Sequence, residues 1–296
     1  MTYDDAGSGA RTARRHNRQE GCLDRPRDPL PTRVADSPAL PDTYGRALDD
    51  GLAAIGVRLE PAARSAIDGH IRLLLAWRDA INLTAIRDPA EIAVRHVIDS
   101  LTALRILESR GAGRLVDLGS GAGFPGLPLA AVATTGRVRL VESVAKKARF
   151  LQTVVEATGL ADRAEVLALR AEALAVDRAR TGRWDAVAAR AVAPLAELVE
   201  LAFPLLAPGG DLIAWKAASA LDGDGSELPA ARRAIEAIDP GARIGVEVAV
   251  PADDAGRTPA PVAALADHRL VVVRRSERPI VGRWPRDPAA RRRGPW

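Results

Sequence analysis

A glycine-rich turn that follows an acidic residue is the part of this sequence best suited to chemistry. The letters LVDLGSGAGFPG run from Leu115 to Gly126 and predict a strand, a turn and then a helix that starts after a proline. Gly119 and Gly121 carry no Cβ, so a bound group can approach the main chain closely there. Asp117 ends the strand two residues before the turn. The segment therefore predicts a cofactor site at the carboxyl end of a strand.

Two classes of cofactor fit the spacing of the glycines. Gly121, Gly123 and Gly126 satisfy the G-x-G-x-x-G pattern of dinucleotide-binding turns, with Glu142 as the acid that would bind a ribose. Asp117, however, would repel a pyrophosphate and attract an ammonium group. S-adenosylmethionine carries a sulfonium and an ammonium but no phosphate, so the charges favour it over a dinucleotide.

Three acidic residues would complement the charge of such a cofactor, namely Asp117, Glu142 and Glu172. Asp117 would meet the ammonium, and Glu142, which ends the second predicted strand, would bind the ribose. Other roles stay open, because Asp117 could cap the turn and Glu142 could be a solvated acid at a strand end.

The elements that must position these residues follow an alternating pattern. Short apolar runs alternate with longer helical stretches beyond Arg114; the runs are RLVDL, VRLVE, AEVLAL, WDAVAA and DLIAWK, followed by strands at 244–250 and His268–Arg274. Helices are predicted at 145–158 and 195–206, the second closed by a turn at 208–210. Such alternation is typical of a Rossmann-like α/β domain with a mostly parallel, seven-stranded sheet.

Changes of composition divide the chain into four parts. Residues 1–41 have few large apolar groups and are predicted to be a disordered extension, whereas 42–110 have the helical period of a small N-terminal subdomain. The α/β domain would occupy 111–275. The last part, 276–296, is a basic tail rich in proline and arginine, predicted to be either a disordered solubilising segment or a clamp for RNA.

Composition narrows the class of protein further. The formal net charge is +4, and Arg274 to Trp296 alone holds eight arginines against two acids. Cys22 is the only cysteine, so we expect neither an internal disulfide nor a cysteine-based metal site, and we predict no bound metal. No apolar run is long enough to cross a bilayer and the opening lacks the apolar centre of a secretory signal. We expect a monomer in the cytoplasm that makes no contact with a membrane.

Several separate segments resemble the ribosomal small-subunit methyltransferase G family. The segments are NLTAIRDP from Asn82, RHVIDS from Arg95, the GFPG that ends at Gly126, and Arg190-Ala191. The resemblance covers nearly everything from Trp77 to Arg274, but neither the N-terminal extension nor the arginine-rich tail belongs to it. It implies a class I S-adenosylmethionine-dependent methyltransferase fold and methylation of N7 of a guanine in 16S ribosomal RNA of the small ribosomal subunit.

The resemblance also implies the residues that contact the cofactor. Carried over by motif, they are Gly119, Phe124, Ala171, Glu172 and Arg190. To these the charge argument adds Asp117, Gly121 and Glu142.

Guanine N7 holds an in-plane lone pair, so its methylation needs no general base and depends mostly on orientation. We therefore assign no catalytic residue. Arg190 and Lys216 each follow an apolar strand at the carboxyl edge of the sheet and are candidates to contact the guanine or the RNA, since basic side chains read the N7/O6 edge. Either could instead be a solvated cation, and His96 is predicted to be a structural hydrogen-bonding group.

Two other functions share the predicted fold. A non-catalytic RNA-binding module would retain the sheet without transferring a methyl group, since a fold alone does not establish activity. An NAD-dependent oxidoreductase would use the same glycine turn, but it would need a hydride-transfer residue that the sequence does not offer.

Overall fold

The computed structural model describes residues 29–132, 136–177, 179–250, 252 and 256–296. Cys22 and most of the expected N-terminal extension lie outside the described residues. Within the described ranges, no helix is both long enough and apolar enough to span a membrane.

Within the part of the chain that the structure describes, seven strands form one sheet. They are β1 Arg114–Leu118, β2 Arg137–Val141, β3 Ala164–Leu167, β4 Trp184–Arg190, β5 Leu206–Ala217, β6 Arg243–Val248 and β7 His268–Arg274. The spatial order is β3-β2-β1-β4-β5-β7-β6, in which only β7 runs antiparallel to its neighbours. The predicted mostly parallel seven-stranded sheet is thereby confirmed.

Helices cover both faces of the sheet. Their bounds are α1 Asp42–Ala54, α2 Pro61–Ile81, α3 Pro89–Ile92, α4 Asp99–Leu101, α5 Leu104–Ser109, α6 Gly126–Val132, α7 Ala145–Ala157, α8 Ala171–Val176, α9 Leu195–Ala202, α10 Leu228–Ile238 and α11 Pro288–Arg293. Successive residues of β4 alternate between two buried clusters, with Ala186 and Ala188 in one and Val187 and Ala189 in the other. The first cluster lies under α1 to α7 and the second under α8 to α10. The central parallel strands are therefore buried on both faces, as is usual for parallel sheets.

The N-terminal helices share the core of the first face. Ile67 and Leu74 of α2 belong to the same buried cluster as Phe150 of α7 and Leu140 of β2. Between α3 and α4 the chain continues as a π-helix, Ala93–Ile98. π-Helical turns are rare and occur frequently at functional sites.

The last part of the expected N-terminal extension is ordered in the structure. Residues 29–41 were expected to be disordered, yet Val34 packs against the core of the first face. The Trp77 indole donates a hydrogen bond to the Pro31 carbonyl (2.8 Å), and Arg72 donates to that of Pro38 (2.8 Å). Side chains of α2 thus donate hydrogen bonds to main-chain carbonyls of this segment. The composition of the segment itself does not reveal these distant donors.

The turn expected at 208–210 is instead part of β5. The pairing of β4 with β5 shifts register between Trp184 and Ala186, and Gly209 has a φ of +72°. A Cβ on Gly210 would lie 3.0 Å from the carbonyl oxygen of Asp185. The glycines therefore form an irregularity inside the strand, where two main chains approach closely.

Candidate functional site

The glycine turn and Arg190 lie side by side at the carboxyl edge of the sheet. Leu118 at the end of β1 pairs with Ala189 near the end of β4. The chain order reverses between these two strands, because β2 and β3 lie on one side of β1 and β4 and β5 on the other. Ligands of open α/β sheets bind in the crevice outside the carboxyl ends at such a switch point.

The turn itself needs glycine at three positions. Gly119, Gly121 and Gly123 have φ values of +68°, +56° and +95°, which side chains rarely adopt. A Cβ on Gly119 would lie 2.8 Å from Cγ2 of Val192, and one on Gly123 would lie 2.3 Å from Cδ1 of Leu127. Any other residue at Gly119 or Gly123 would therefore displace the loop or its neighbours.

Asp117 is a fully buried carboxylic acid with one unused oxygen. Its Oδ2 accepts a hydrogen bond from the Gly126 N–H (3.0 Å), whereas its Oδ1 finds no partner among the described residues. Burial raises the pKa of Asp117 to about 7, although the Ser120 side chain, the Gly126 N–H and the Arg190 charge act in the opposite direction. An unpaired buried carboxylate oxygen is costly on its own. It fits a cationic ligand such as an ammonium group.

Glu142 fastens the glycine turn to the end of β2. Its Oε2 accepts from the Gly121 N–H (3.0 Å) and its Oε1 from the Val144 N–H (2.7 Å). The side chain is buried, so the alternative of a solvated acid is wrong. Each carboxylate oxygen keeps a second lone pair, and the ribose contact stays a prediction.

Arg190 is tied to the helical segment that runs from α3 to α4. Its Nη1 donates to Oδ2 of Asp99 (2.9 Å) and to the carbonyl of Arg95 (3.1 Å), and its Nη2 lies 3.2 Å from Nδ1 of His96. The guanidinium carbon is 5.3 Å from the centre of the Phe124 ring. Three of the five N–H donors are thus used. The Arg190 guanidinium is therefore fixed by hydrogen bonds within the protein, and the alternative of a solvated cation is wrong.

Asp99 joins three elements and was missed by the sequence analysis as a site residue. It is 1% exposed. Its second oxygen accepts from Nδ1 of His268 at the start of β7 (2.8 Å), and its main-chain carbonyl accepts from the Trp215 indole of β5 (2.9 Å). The available signal was an acid between apolar residues in the segment VIDSL, because such an acid needs buried partners.

Phe124 lies between two histidines. Its ring centre is 4.7 Å from that of His70 and 4.6 Å from that of His96. Since a guanidinium only donates, Nδ1 of His96 accepts from Arg190, and Nε2 carries the proton that is donated to Oγ1 of Thr84 (2.8 Å). Burial, then the Arg190 charge, lowers the pKa of His96 to about 3. The ring is neutral with its lone pair engaged, which favours the structural role.

Lys216 holds the loop that follows β4. Its Nζ donates to Oε2 of Glu227 (2.7 Å) and to the carbonyl of Ala193 (3.0 Å). The same Glu227 oxygen accepts from the N–H of Leu195, the first residue of α9. Lys216 is therefore neither solvated nor unpaired, and one of its three donors remains for a ligand.

Ala171 and Glu172 begin α8, just beyond the carboxyl end of β3. The Glu172 side chain is turned to the C-terminal tail, where Oε1 accepts from Nη2 of Arg291 (2.5 Å). Burial opposes ionisation of Glu172, yet its hydrogen bonds, the one from Arg291 included, outweigh burial and lower its pKa. The negative charge of Glu172, which was expected to complement the cofactor, is thus paired with Arg291 of the same chain.

The chain resembles one family over more than half its length. The model of that family, described as rRNA small subunit methyltransferase G, matches residues 64–234. A protein of that name from Sorangium cellulosum is 46% identical over 160 residues, which are 54% of this chain and 66%, just under two thirds, of the relative. Another from Symbiobacterium thermophilum is 34% identical over 82% of this chain and 94% of the relative.

Solved structures are more distant. An O-methyltransferase from Bacillus cereus in complex with SAH aligns with 77% of this chain and 97% of its own, at 18% identity and a TM-score of 0.48.

Proposed function

The chain belongs to the rRNA small subunit methyltransferase G family, and from this premise we propose that it transfers the methyl group of S-adenosylmethionine to N7 of a guanine in 16S ribosomal RNA. One observation carries the cofactor part of the proposal, namely the buried, unpaired oxygen of Asp117 beside the glycine turn. A carboxylate there complements an ammonium and repels a pyrophosphate. The same observation disfavours the dinucleotide-dependent alternative.

The proposed cofactor contacts follow from the site. Asp117 would bind the ammonium, the main chain of Gly119 and Gly121 would lie against the cofactor, and Glu142 would accept from the ribose hydroxyls. Phe124, Ala171 and Glu172 complete the set by family resemblance. Two buried carboxyl groups and three glycines with left-handed φ values form the site. Such a site suits a positively charged cofactor that carries no phosphate.

For transfer at guanine N7, the main contribution expected of the protein is to orient the base relative to the methyl group of the cofactor. When bound, S-adenosylmethionine supplies an electrophilic methyl group to a ring nitrogen whose lone pair is already free. The buried Asp99 holds the guanidinium of Arg190 (2.9 Å), which leaves two N–H donors to contact the cofactor or the O6 edge of the base. Fixed donors contribute to rate because they do not reorganise during the reaction. His96 has no free lone pair, which suits a reaction that removes no proton from N7 before transfer.

The proposal includes the setting in which the chain acts. Its substrate would be 16S ribosomal RNA or the small ribosomal subunit that contains it, in the cytoplasm. The monomeric state stays a prediction that light scattering of the purified chain would check.

The test is transfer of labelled methyl from S-adenosylmethionine to small ribosomal subunits that lack the native modification, followed by mapping of the product. Gly119→Asp is expected to reduce transfer at least a hundredfold, because its Cβ would meet Val192 at 2.8 Å and its carboxylate would stand in the cofactor site. Gly56→Asp is the matched control, since Gly56 has the same φ of +68° and no described atom within 4 Å of its Cβ.

Label at a guanine N7 that is lost only in Gly119→Asp would support the whole proposal. Label at another position would retain the methyltransferase and reject the N7 assignment. Binding of S-adenosylmethionine without transfer to subunits would reject this substrate in favour of another RNA, and absence of both binding and transfer would reject the methyltransferase.

A further inference from the structure

The segment 276–296, called here the C-terminal strap, crosses three helices of the second face. The main-chain N–H of Ser276 donates to Asp239, at the end of α10 (2.8 Å), and that of Val281 donates to the Ile238 carbonyl (2.8 Å). The strap then passes over α9 and reaches α8 with its own helix α11. The structure thus differs from the alternative of a disordered tail.

A buried ion pair fixes the middle of the strap to α9. Glu200 is fully buried, and Arg286 donates to both of its oxygens, from Nη2 to Oε2 at 2.8 Å and from Nε to Oε1 at 3.2 Å. The Trp296 indole donates to the same carboxylate (2.9 Å), and the Arg286 guanidinium lies 4.3 Å from its ring centre. Trp284 packs against Trp296 at 5.6 Å. Both tryptophans are therefore engaged within the strap, so they are not the free stacking surfaces that a clamp for bases would need.

Arg291 fixes the end of the strap at the rim of the candidate site. Its Nη1 donates to Glu197 of α9 (2.7 Å) and its Nη2 to Glu172 of α8 (2.5 Å). Both glutamates belong to first helical turns, and these turns follow β3 and β4 at the carboxyl edge of the sheet. The last turn of α11 therefore lies at the edge where ligands of this fold bind.

The neighbouring arginines have no such partners. Arg292 and Arg293 are exposed, and neither side chain makes an ion pair or hydrogen bond with another residue of the described ranges. Arg292 lines an open groove of about 560 Å³ together with Arg170, which is also exposed. The two acids in this groove, Glu172 and Glu197, are each paired with Arg291. With three arginines against these two acids, the lining of the groove keeps a formal net charge of +1.

Resting on the proposed function, we propose that Arg170, Arg292 and Arg293 bind the sugar-phosphate backbone of the RNA substrate beside the target guanine. A polyanion gains affinity from cations whose main chain is already fixed, because less chain freedom is lost on binding. The three glutamates of α8 and α9 are occupied by the anchoring Arg286 and Arg291, so Arg292 and Arg293 remain for phosphate. The family model matches residues 64–234, so Arg292 and Arg293 lie beyond the matched region, whereas Arg170 lies within it.

The test compares two adjacent arginine pairs in the full chain. Arg292→Gln/Arg293→Gln is expected to raise KM for unmodified small ribosomal subunits on the order of tenfold and to lower the slope of log affinity against log salt by roughly one to two. The kcat and the dissociation constant of S-adenosylmethionine should stay unchanged. Arg232→Gln/Arg233→Gln is the control, since both are exposed neighbours on α10, which α9 separates from α8.

Each outcome decides one claim. If Arg292→Gln/Arg293→Gln kept the KM and salt slope of the unaltered chain, the proposal would be overturned while the proposed function stands. If KM rose equally in the control, the proposal would also be overturned, because the effect would then depend only on the net charge of the protein. If the unaltered chain transferred no methyl group, the proposed function would fail. Binding of the RNA by filter retention would then still report the arginine contribution separately.

Discussion

Replacing Asp117 with asparagine is expected to weaken the binding of S-adenosylmethionine about a hundredfold. Loss of one partner from a buried charge pair costs about 2–5 kcal/mol, and a hundredfold corresponds to about 2.7 kcal/mol. Asparagine keeps an oxygen to accept the Gly126 N–H, which Asp117 accepts at 3.0 Å. The glycine turn should therefore stay in place while the charge is lost. Isothermal titration calorimetry at pH 8 measures the effect.

The same substitution is expected to stabilise the cofactor-free chain at alkaline pH. Burial raises the pKa of Asp117 from 3.8 to about 7, so the folded state binds this proton more tightly than the unfolded state. That contribution to stability is fully present below pH 3.8 and is lost as the pH rises through about 7. At pH 8 the buried charge then costs about 4 kcal/mol, and asparagine avoids that cost.

Urea unfolding without cofactor should show Asp117→Asn more stable than the unaltered chain at pH 8, by up to about 4 kcal/mol, with the gain shrinking toward pH 4. Asp224→Asn, at an exposed residue with no described partner, controls for the change in net charge. Undiminished cofactor affinity in Asp117→Asn would contradict the ammonium contact. A stability difference that did not vary with pH would contradict the account of a buried charge.

Replacing Asp99 with alanine is expected to lower the free energy of unfolding by about 3–5 kcal/mol, the usual effect of removing one member of a buried ion pair. Arg190 and His268 would both lose an acceptor, and a cavity would remain where three elements meet. The activity should fall further than the stability explains, because Arg190 would lose its fixed orientation. Urea unfolding and steady-state kinetics under conditions where the variant is folded would separate the two effects.

Asp99→Asn gives the graded comparison. The amide offers one oxygen to Arg190 and a donor to Nδ1 of His268, which can accept in its other tautomer. We expect it to recover much of the stability. Asp222→Ala, at an exposed aspartate, should change stability by less than about 0.5 kcal/mol. An Asp99→Ala chain as stable as the unaltered one would show that this network does not hold the N-terminal helices to the sheet.

Local sequence determined the cofactor turn. Asp117, Gly119, Gly121 and Gly123 lie within seven residues of one another, so the strand, the left-handed turn and the helix follow from neighbouring residues alone. The strands were predictable for a similar reason. A parallel strand buried on both faces is apolar along its length, and such runs are visible in the sequence. These features need no knowledge of what packs against them.

Only the tertiary structure decided what happens to the charges around that turn. Asp99 is 91 residues from Arg190 and 169 residues from His268, and Glu172 is 119 residues from Arg291. Strand order brings these partners together, and composition gives no sign of which charge will meet which. For the same reason the sequence could not show that residues 29–41 and the C-terminal strap would be held. Their stabilising partners are a tryptophan, an arginine and three glutamates on distant helices, and burial against those partners, rather than the segments' own apolar content, offsets the loss of chain entropy.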